Sequence, residues 1–212
     1  MKRVFLTVLP LLLMCVVSAC APRNLADVLG VKPRHLTPEE WAAISKPGSH
    51  HELLSMFVGE WDVEVTSWKD ATANPERSKA HSSSDWVLGF RFVREKFRSL
   101  AMGPRYEGLG FFGYDSGANL YTSVWMDSLN TSIATSKGIF DPATVTFELT
   151  GDIYDPLAGR TKETHTFIRI LSKDSYEVSM VDRTARGTDF KSLELIYRRL
   201  ESNNTGAKAK AQ

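Results

Sequence analysis

Cysteine is scarce in this chain of 212 residues, which contains Cys15, Cys20 and no other. A zinc site that takes several cysteine ligands is therefore excluded. An excess of either charge is also missing, because 26 basic and 25 acidic residues leave a formal net charge of +1. A domain without a basic surplus lacks the electrostatic signature of nucleic-acid binding. The hydrophobic content of 42% is nevertheless sufficient to build a core.

Motifs for nucleotide binding and for catalysis are missing as well. Residues 108–113 have the glycine spacing of a dinucleotide fingerprint, but a turn and a strand follow where that fingerprint requires a helix. We therefore predict a glycine-bearing strand that bends or leaves room for a Trp or Tyr ring. Residues 51–55, HELLS, lack the second histidine of a zinc protease. We predict no catalytic residue, no metal and no cofactor.

The N-terminal segment is typical of a secretory signal peptide. Lys2 and Arg3 precede an apolar run over 4–17, which is shorter than the about 20 residues of a transmembrane helix. Residues 17–20, VSAC, resemble the lipobox of bacterial lipoproteins, in which the chain is cut before the cysteine and the thiol is lipidated. This resemblance implies a signal peptide over 1–19 and lipidation of Cys20. An uncleaved anchor helix is the alternative.

The lipobox also implies a location. It places the chain on the cell envelope, attached to the membrane through Cys20, and on the periplasmic side of the outer membrane where the host has one. Residues 20–46 then form a tether that includes a short helix. The polar, low-complexity tail at 201–212 is predicted to be disordered.

Two short helices are predicted before the first strand, the second of them inside the main domain, which we place at 47–200. Thr37 and Glu40 have the spacing of a capping box, with a proline at the first helical position. Ser49 and Glu52 repeat that spacing. Each pair predicts the start of a helix.

From Gly59 onward the hydrophobic period is two, which is typical of strands with one buried face. Turn residues separate about ten strands near 60–68, 78–88, 90–99, 106–114, 119–128, 131–139, 143–151, 161–171, 175–184 and 191–200. Short connections favour antiparallel pairing of consecutive strands. Closure of the sheet removes its exposed edges. We predict an all-β, antiparallel, up-and-down barrel.

Several segments resemble a family of uncharacterised bacterial proteins with a predicted lipocalin-like (calycin) barrel. The helix leading into Gly59-Glu60-Trp61 resembles the Gly-x-Trp entry of such barrels. The other matching segments are residues 47–54, 110–115, 121–128, 151–156 and 193–199. The resemblance implies a lipocalin or fatty-acid-binding-protein type of barrel over about 47–200, and it implies no established activity.

Polar and aromatic residues on strand faces are the candidate ligand contacts. They are Trp61, Tyr121, Trp125, Asp127, His165, Tyr197 and Arg199. Asp127 could orient a ligand, or it could cap the following turn with Ser128 and Asn130. His165 could be a ligand contact, a haem ligand, an acid/base group or none of these. The fatty-acid-binding barrels, which hold a carboxylate with Arg and Tyr on their last strand, suggest a similar role for Tyr197 and Arg199.

Three functions are compatible with these residues. The first is non-enzymatic binding of a small, largely apolar ligand inside the barrel. The second is an enzyme that uses Asp127 or His165 as acid or base. The third is a structural envelope lipoprotein whose outer surface contacts a protein partner. We favour the first function.

Overall fold

The computed structural model describes residues 35–99, 106–155, 159–183 and 187–201. Its contacts divide the chain into two compact units, residues 1–41 and 42–212. The predicted signal peptide, Cys20, most of the predicted tether and the predicted tail beyond residue 201 lie outside the described residues. No helix in the described ranges has the length and apolar character needed to cross a membrane.

The first helix, α1, spans Pro38–Ser45 and begins with the predicted capping box. The backbone N–H of Glu40 donates to Thr37 Oγ1 at 3.2 Å, and that of Thr37 donates to Glu40 Oε2 at 2.9 Å. Two N–H groups that the first turn leaves without partners are satisfied in this way. The prediction from residues 37–40 is confirmed.

The second helical segment consists of α2, Ser49–Leu53, and a 3-10 helix, Leu54–Phe57. The predicted capping box of Ser49 with Glu52 is wrong. Gly48 is the N-cap residue, and its backbone N–H donates to His51 Nδ1 at 3.2 Å. His51 is buried beside this cap, so its ring takes the role that the sequence spacing suggested for a carboxylate.

Ten strands follow. They are β1 Gly59–Ser67, β2 Glu76–Val87, β3 Phe92–Ser99, β4 Tyr106–Asp115, β5 Leu120–Asp127, β6 Ala134–Asp141, β7 Thr146–Asp155, β8 Arg160–Ser172, β9 Ser175–Arg183 and β10 Asp189–Arg199. Each strand pairs antiparallel with its neighbours in sequence, and β1 also pairs with β10. The sheet closes and has no free edge. The predicted up-and-down barrel of ten strands is confirmed.

The boundary between β2 and β3 differs from the prediction for a conformational reason. Leu88, Gly89 and Phe90 have φ values of 51°, 64° and 63°. Left-handed backbone at three successive residues cannot continue a strand, which requires a strongly negative φ. The turn therefore removes Leu88 from the predicted end of β2 and Phe90 from the predicted start of β3.

One end of the barrel, at which β1 begins and β10 ends, is closed by the 3-10 helix. The ring of Phe57 packs against Phe112, Phe147 and Tyr176, with ring centroids 5.0–5.5 Å apart. Phe57 itself is 5% exposed. We call this end the closed end. The closed end limits how far an open space can extend inside the barrel.

Trp61 and Arg199 complete the closed end. The Trp61 Nε1–H donates to the Phe57 carbonyl oxygen at 2.9 Å. The guanidinium carbon of Arg199 lies 4.1 Å from the Trp61 ring centroid. The same guanidinium donates to the carbonyl oxygens of Val58, at 2.6 Å, and Met56, at 2.9 Å. Arg199 thus satisfies backbone carbonyls at the end of the helix and stacks on an aromatic face.

Candidate functional site

A cavity of about 380 Å³ lies inside the barrel beyond the closed end. This volume falls in the range of pockets that hold small organic molecules. The wall is rich in aromatic rings, which include Phe97, Tyr106, Phe112, Trp125, Tyr176 and Tyr197. Ser84, Ser123, Ser136, Thr164 and Thr166 add hydroxyl groups. An apolar wall with a few polar groups is the usual composition of a ligand pocket.

Glu95 on β3 places a carboxyl group in this wall. Ser82 Oγ donates to Glu95 Oε1 at 2.7 Å, and the Tyr197 hydroxyl donates to the same oxygen at 3.0 Å. Burial raises the pKa of Glu95, and these two hydrogen bonds oppose the rise. Glu95 is half-buried, and its side chain borders the cavity.

The second oxygen of this carboxyl group, Oε2, has no hydrogen bond within the described residues. Every fully buried side-chain nitrogen or oxygen there has a partner, so Oε2 is not fully buried. Because Glu95 lines the cavity, the cavity is the space to which Oε2 is exposed. The site therefore presents one unused carboxyl oxygen to whatever occupies the barrel.

Tyr197 and Tyr176 form the floor of the cavity next to the closed end. Their rings stack in parallel, with centroids 4.2 Å apart and an interplanar angle of 13°. Burial raises the pKa of both hydroxyls well above the usual value, and the nearby Glu95 adds to the rise. Both hydroxyls are therefore neutral hydrogen-bond groups at physiological pH.

Trp125 lies flat against two glycines of β4. A Cβ atom at Gly110 would come within 2.9 Å of Trp125 Cε3, and one at Gly108 would overlap the indole ring. The predicted reason for these glycines, room for an aromatic ring, is confirmed. Trp125 Nε1–H donates to the Tyr106 hydroxyl at 3.3 Å, and the ring is thereby held in the cavity wall.

One of the two roles considered for Asp127, capping of the turn after β5, is present in the structure. Asp127 Oδ1 accepts from the backbone N–H of Leu129 at 2.9 Å and from Asn130 Nδ2 at 3.0 Å. Asp127 also lines the cavity and hydrogen bonds with Tyr106. Burial, together with the negative charge of Asp127, raises the pKa of Tyr106 to about 12.

The structure places three other predicted contacts in the barrel interior but outside the cavity wall. Trp61 and Arg199 belong to the closed end. Tyr121 is 2% exposed, and its hydroxyl lies 3.0 Å from His50 Nδ1. Burial raises the pKa of Tyr121 to about 12. Arg199 binds backbone carbonyls while Tyr197 binds Glu95, so the two do not form a clamp for a carboxylate.

His165 lies on the outer face of β8. Its Nε2 is 3.1 Å from Glu163, its Nδ1 is 3.4 Å from Thr150 Oγ1, and its side chain is 44% exposed. The neighbouring Thr164 and Thr166 face the cavity instead. His165 cannot contact a ligand in the barrel from this position, nor act as a haem ligand or acid/base group there.

Glu95 was missed by the sequence analysis, although a signal was present. Val93, Glu95 and Phe97 alternate along β3, and both apolar neighbours face inward with 3–4% exposure. A carboxylate between two inward apolar residues is on the buried face of its strand. Flanking charges at 94, 96 and 98 obscured this pattern.

The chain matches a protein-family model over most of its length. A family model described as "Protein of unknown function (DUF1579)" matches residues 46–199. The chain belongs to DUF1579. This match spans the whole DUF1579 barrel together with α2 and the closed end. No curated protein matches the chain.

Two solved structures match the chain at low sequence identity. "Crystal Structure of Rv2717c from M. tuberculosis" matches with a TM-score of 0.54 and 15% identity, covering 74% of this chain and 100% of that chain. A redesigned beta barrel matches with a TM-score of 0.35 and 14% identity over the same shares. The first likeness supports the barrel fold of this DUF1579 member, and the second is too weak to support an argument.

Within the described ranges, no group of three or more His, Cys, Asp or Glu side chains is arranged to hold a metal ion. The polar groups of the cavity are hydroxyls and carboxyls, which suit hydrogen bonding to an organic molecule.

Proposed function

We propose that this barrel binds a small, largely apolar ligand without converting it, and that lipidated Cys20 attaches the protein to the cell envelope. The observation that carries the binding proposal is the cavity of about 380 Å³ lined by aromatic rings. Protein cores normally contain few voids larger than a water molecule. An empty void of this size lowers the stability of the fold. This cost favours the interpretation that the cavity holds a ligand.

The enzymatic alternative receives less support from the geometry. It was based on Asp127 and His165, but Oδ1 of Asp127 is bound by the turn and His165 lies on the outer face. A general acid or base has to reach the reacting atom. Glu95 reaches the cavity, and its fixed hydrogen bonds to Ser82 and Tyr197 suit the orientation of a ligand.

The membrane attachment is supported by the sequence alone. The apolar run, the VSAC sequence at 17–20 and the tether to residue 46 agree with one another. Several acyl chains anchor a protein far more firmly than a single chain does. In this arrangement the lipid holds the barrel near a membrane, which is also a source of apolar molecules.

The binding proposal is tested by native mass spectrometry and by displacement of a neutral fluorescent dye such as Nile red. The protein for this work starts at residue 21, so it retains every described residue. In Leu195→Trp, a larger ring enters the cavity, which Leu195 lines. Its matched control is Ile196→Trp, the next position on β10, which pairs with the outward Glu64. Both variants make the same change in side-chain size on adjacent positions.

We expect the unaltered protein and Ile196→Trp to bind the dye saturably, and Leu195→Trp to bind it at least about tenfold more weakly. Circular dichroism checks that both variants keep the barrel. Equal binding by the two variants would place the dye on the outer surface. Absence of any saturable binding to the unaltered protein would contradict the proposal.

A further inference from the structure

We propose that the cavity selects an apolar amine, a molecule with one ammonium group and a hydrocarbon body, with the ammonium group on Glu95. This inference rests on the proposed binding function and adds the chemical class of the ligand. It differs from the carboxylate ligand that Tyr197 and Arg199 had suggested. Three features of the wall carry it.

The first feature is the free oxygen of Glu95. Ser82 and Tyr197 both donate to Oε1, which orients the carboxyl group and leaves Oε2 without a hydrogen bond among the described residues. A carboxylate oxygen accepts hydrogen bonds and donates none. The partner that completes the ionised carboxyl is therefore a hydrogen-bond donor, and hydrogen bonds with an ionised group are about twice as strong as those between neutral groups.

The second feature is the charge of the wall. Among the described residues that line the cavity, Glu95, Asp127 and Asp152 are acidic and none is basic. Lys162, two residues before the cavity-lining Thr164 on β8, donates to Asp182 at 2.7 Å. A carboxylate ligand would meet acidic groups without a compensating base. An ammonium ligand would meet the opposite charge.

The third feature is the set of aromatic rings that line the cavity together with Glu95. Faces of Trp, Tyr and Phe attract a cation within about 6 Å of the ring centroid. The rings of Phe97, Tyr106, Trp125, Tyr176 and Tyr197 all line the cavity with Glu95. The same rings pack against a hydrocarbon body. The Glu95 carboxylate together with these aromatic rings is thus complementary to an ammonium group on an apolar chain.

Arg199 does not alter this charge pattern. It contacts Trp61, three backbone carbonyl oxygens and Asp174 at the closed end, with Nε 3.2 Å from the Asp174 carboxylate. Burial raises the pKa of Glu95, and the two groups that oppose this rise are the neutral hydroxyls of Ser82 and Tyr197, not a cation. Glu95 is consequently available for a cation from the ligand.

The test compares three molecules with the same eight-carbon chain: octylamine, octanol and octanoate. Each competes with Nile red for the protein that starts at residue 21, near neutral pH. We expect octylamine to bind at least about tenfold more tightly than octanol, and octanoate to bind most weakly. Glu95→Gln should remove the preference for the amine over octanol. Glu148→Gln, at an exposed position of β7, serves as the matched control and should keep the preference.

The outcomes separate the two proposals. If the three compounds displace the dye with similar affinity, or if octanoate is preferred, the inference about amines is wrong and the binding function stands. If Glu95→Gln keeps the preference for octylamine, Glu95 is not its cause and the inference is overturned. If none of the compounds binds and Nile red does not bind either, the proposed function itself fails.

The pH dependence of binding gives a second readout. An ammonium group favours the ionised form of Glu95, whereas burial raises the pKa of this carboxyl in the empty cavity. Binding below that pKa must release a proton, so affinity for octylamine should rise with pH by up to about tenfold per unit and then level off. Affinity for octanol should stay constant. A flat profile for octylamine that matches octanol would overturn the assignment to Glu95.

Discussion

Replacement of Glu95 by Gln should stabilise the barrel increasingly as pH rises. Burial raises the pKa of Glu95 above its ordinary value of 4.5. In the unfolded chain the carboxyl ionises near the ordinary value, so between the two pKa values the folded protein holds a proton that the unfolded chain has lost. Raising the pH through this window therefore lowers the free energy of unfolding. The Gln side chain does not titrate in this range, so the variant does not lose stability in this way.

The magnitude follows from the local geometry. Gln can accept at Oε1 from both Ser82 and Tyr197, as the protonated carboxyl does. At about pH 4 the two proteins should therefore differ by no more than about 1 kcal/mol, the net contribution of one hydrogen bond. Above that, the stability of the variant relative to the unaltered protein should grow by about 1.4 kcal/mol per pH unit. The growth ends at the pKa of folded Glu95.

The assay is urea unfolding followed by tryptophan fluorescence at several pH values from about 4 to 8, with linear extrapolation to water. Glu148→Gln is the control, because the same charge is removed from an exposed position on the outer face. Its difference from the unaltered protein should stay within about 0.5 kcal/mol at every pH. A constant difference for Glu95→Gln across this range would refute the reasoning, and so would a variant that becomes relatively less stable as pH rises.

Three further changes test the closed end, the cavity wall and the membrane anchor. Arg199→Lys should lower the free energy of unfolding by about 2–4 kcal/mol, because Lys loses the forked donors and the ring stacking; a loss below about 0.5 kcal/mol in urea would contradict this role. Gly108→Ala should cost about 1–3 kcal/mol and change the near-ultraviolet circular dichroism of Trp125, whose ring the new methyl group would overlap; an unchanged spectrum would show that the ring is not held there. Cys20→Ser should abolish incorporation of labelled palmitate in cells, whereas Cys15→Ser should not; labelling that survives Cys20→Ser would refute the predicted anchor.

Local rules were sufficient wherever neighbouring residues alone decide the structure. Thr37 and Glu40 cap α1 because their spacing places each side chain on the backbone of the other. The same spacing failed at Ser49 and Glu52. There the barrel buries His51, whose ring then accepts from the backbone of Gly48. The cap that forms is also local, since Gly48 and His51 are three residues apart, but it uses a ring whose burial the spacing of Ser49 and Glu52 does not reveal.

The same contrast between local and tertiary influences applies to which residues face the inside or the outside of the barrel. Alternation correctly grouped Trp125 with Asp127, and it correctly grouped His165 with Glu163. Grouping alone does not state which face is internal. His165 is outside because its neighbour Thr164 faces the cavity. A one-residue change of register would exchange the two.

By itself, the sequence determined the class of fold, the number of strands and the use of glycine opposite an aromatic ring. Period two, short turns and small residues are properties of consecutive positions, and they limit the chain to antiparallel strands. Only the tertiary structure decided that Glu95, Ser82 and Tyr197 meet, since Tyr197 follows Glu95 by 102 positions and their contact requires β10 to close the barrel on β1. Closure also places Arg199 at the closed end and not in the cavity wall. It leaves a cavity in which Oε2 of Glu95 is a hydrogen-bond acceptor without a partner among the described residues.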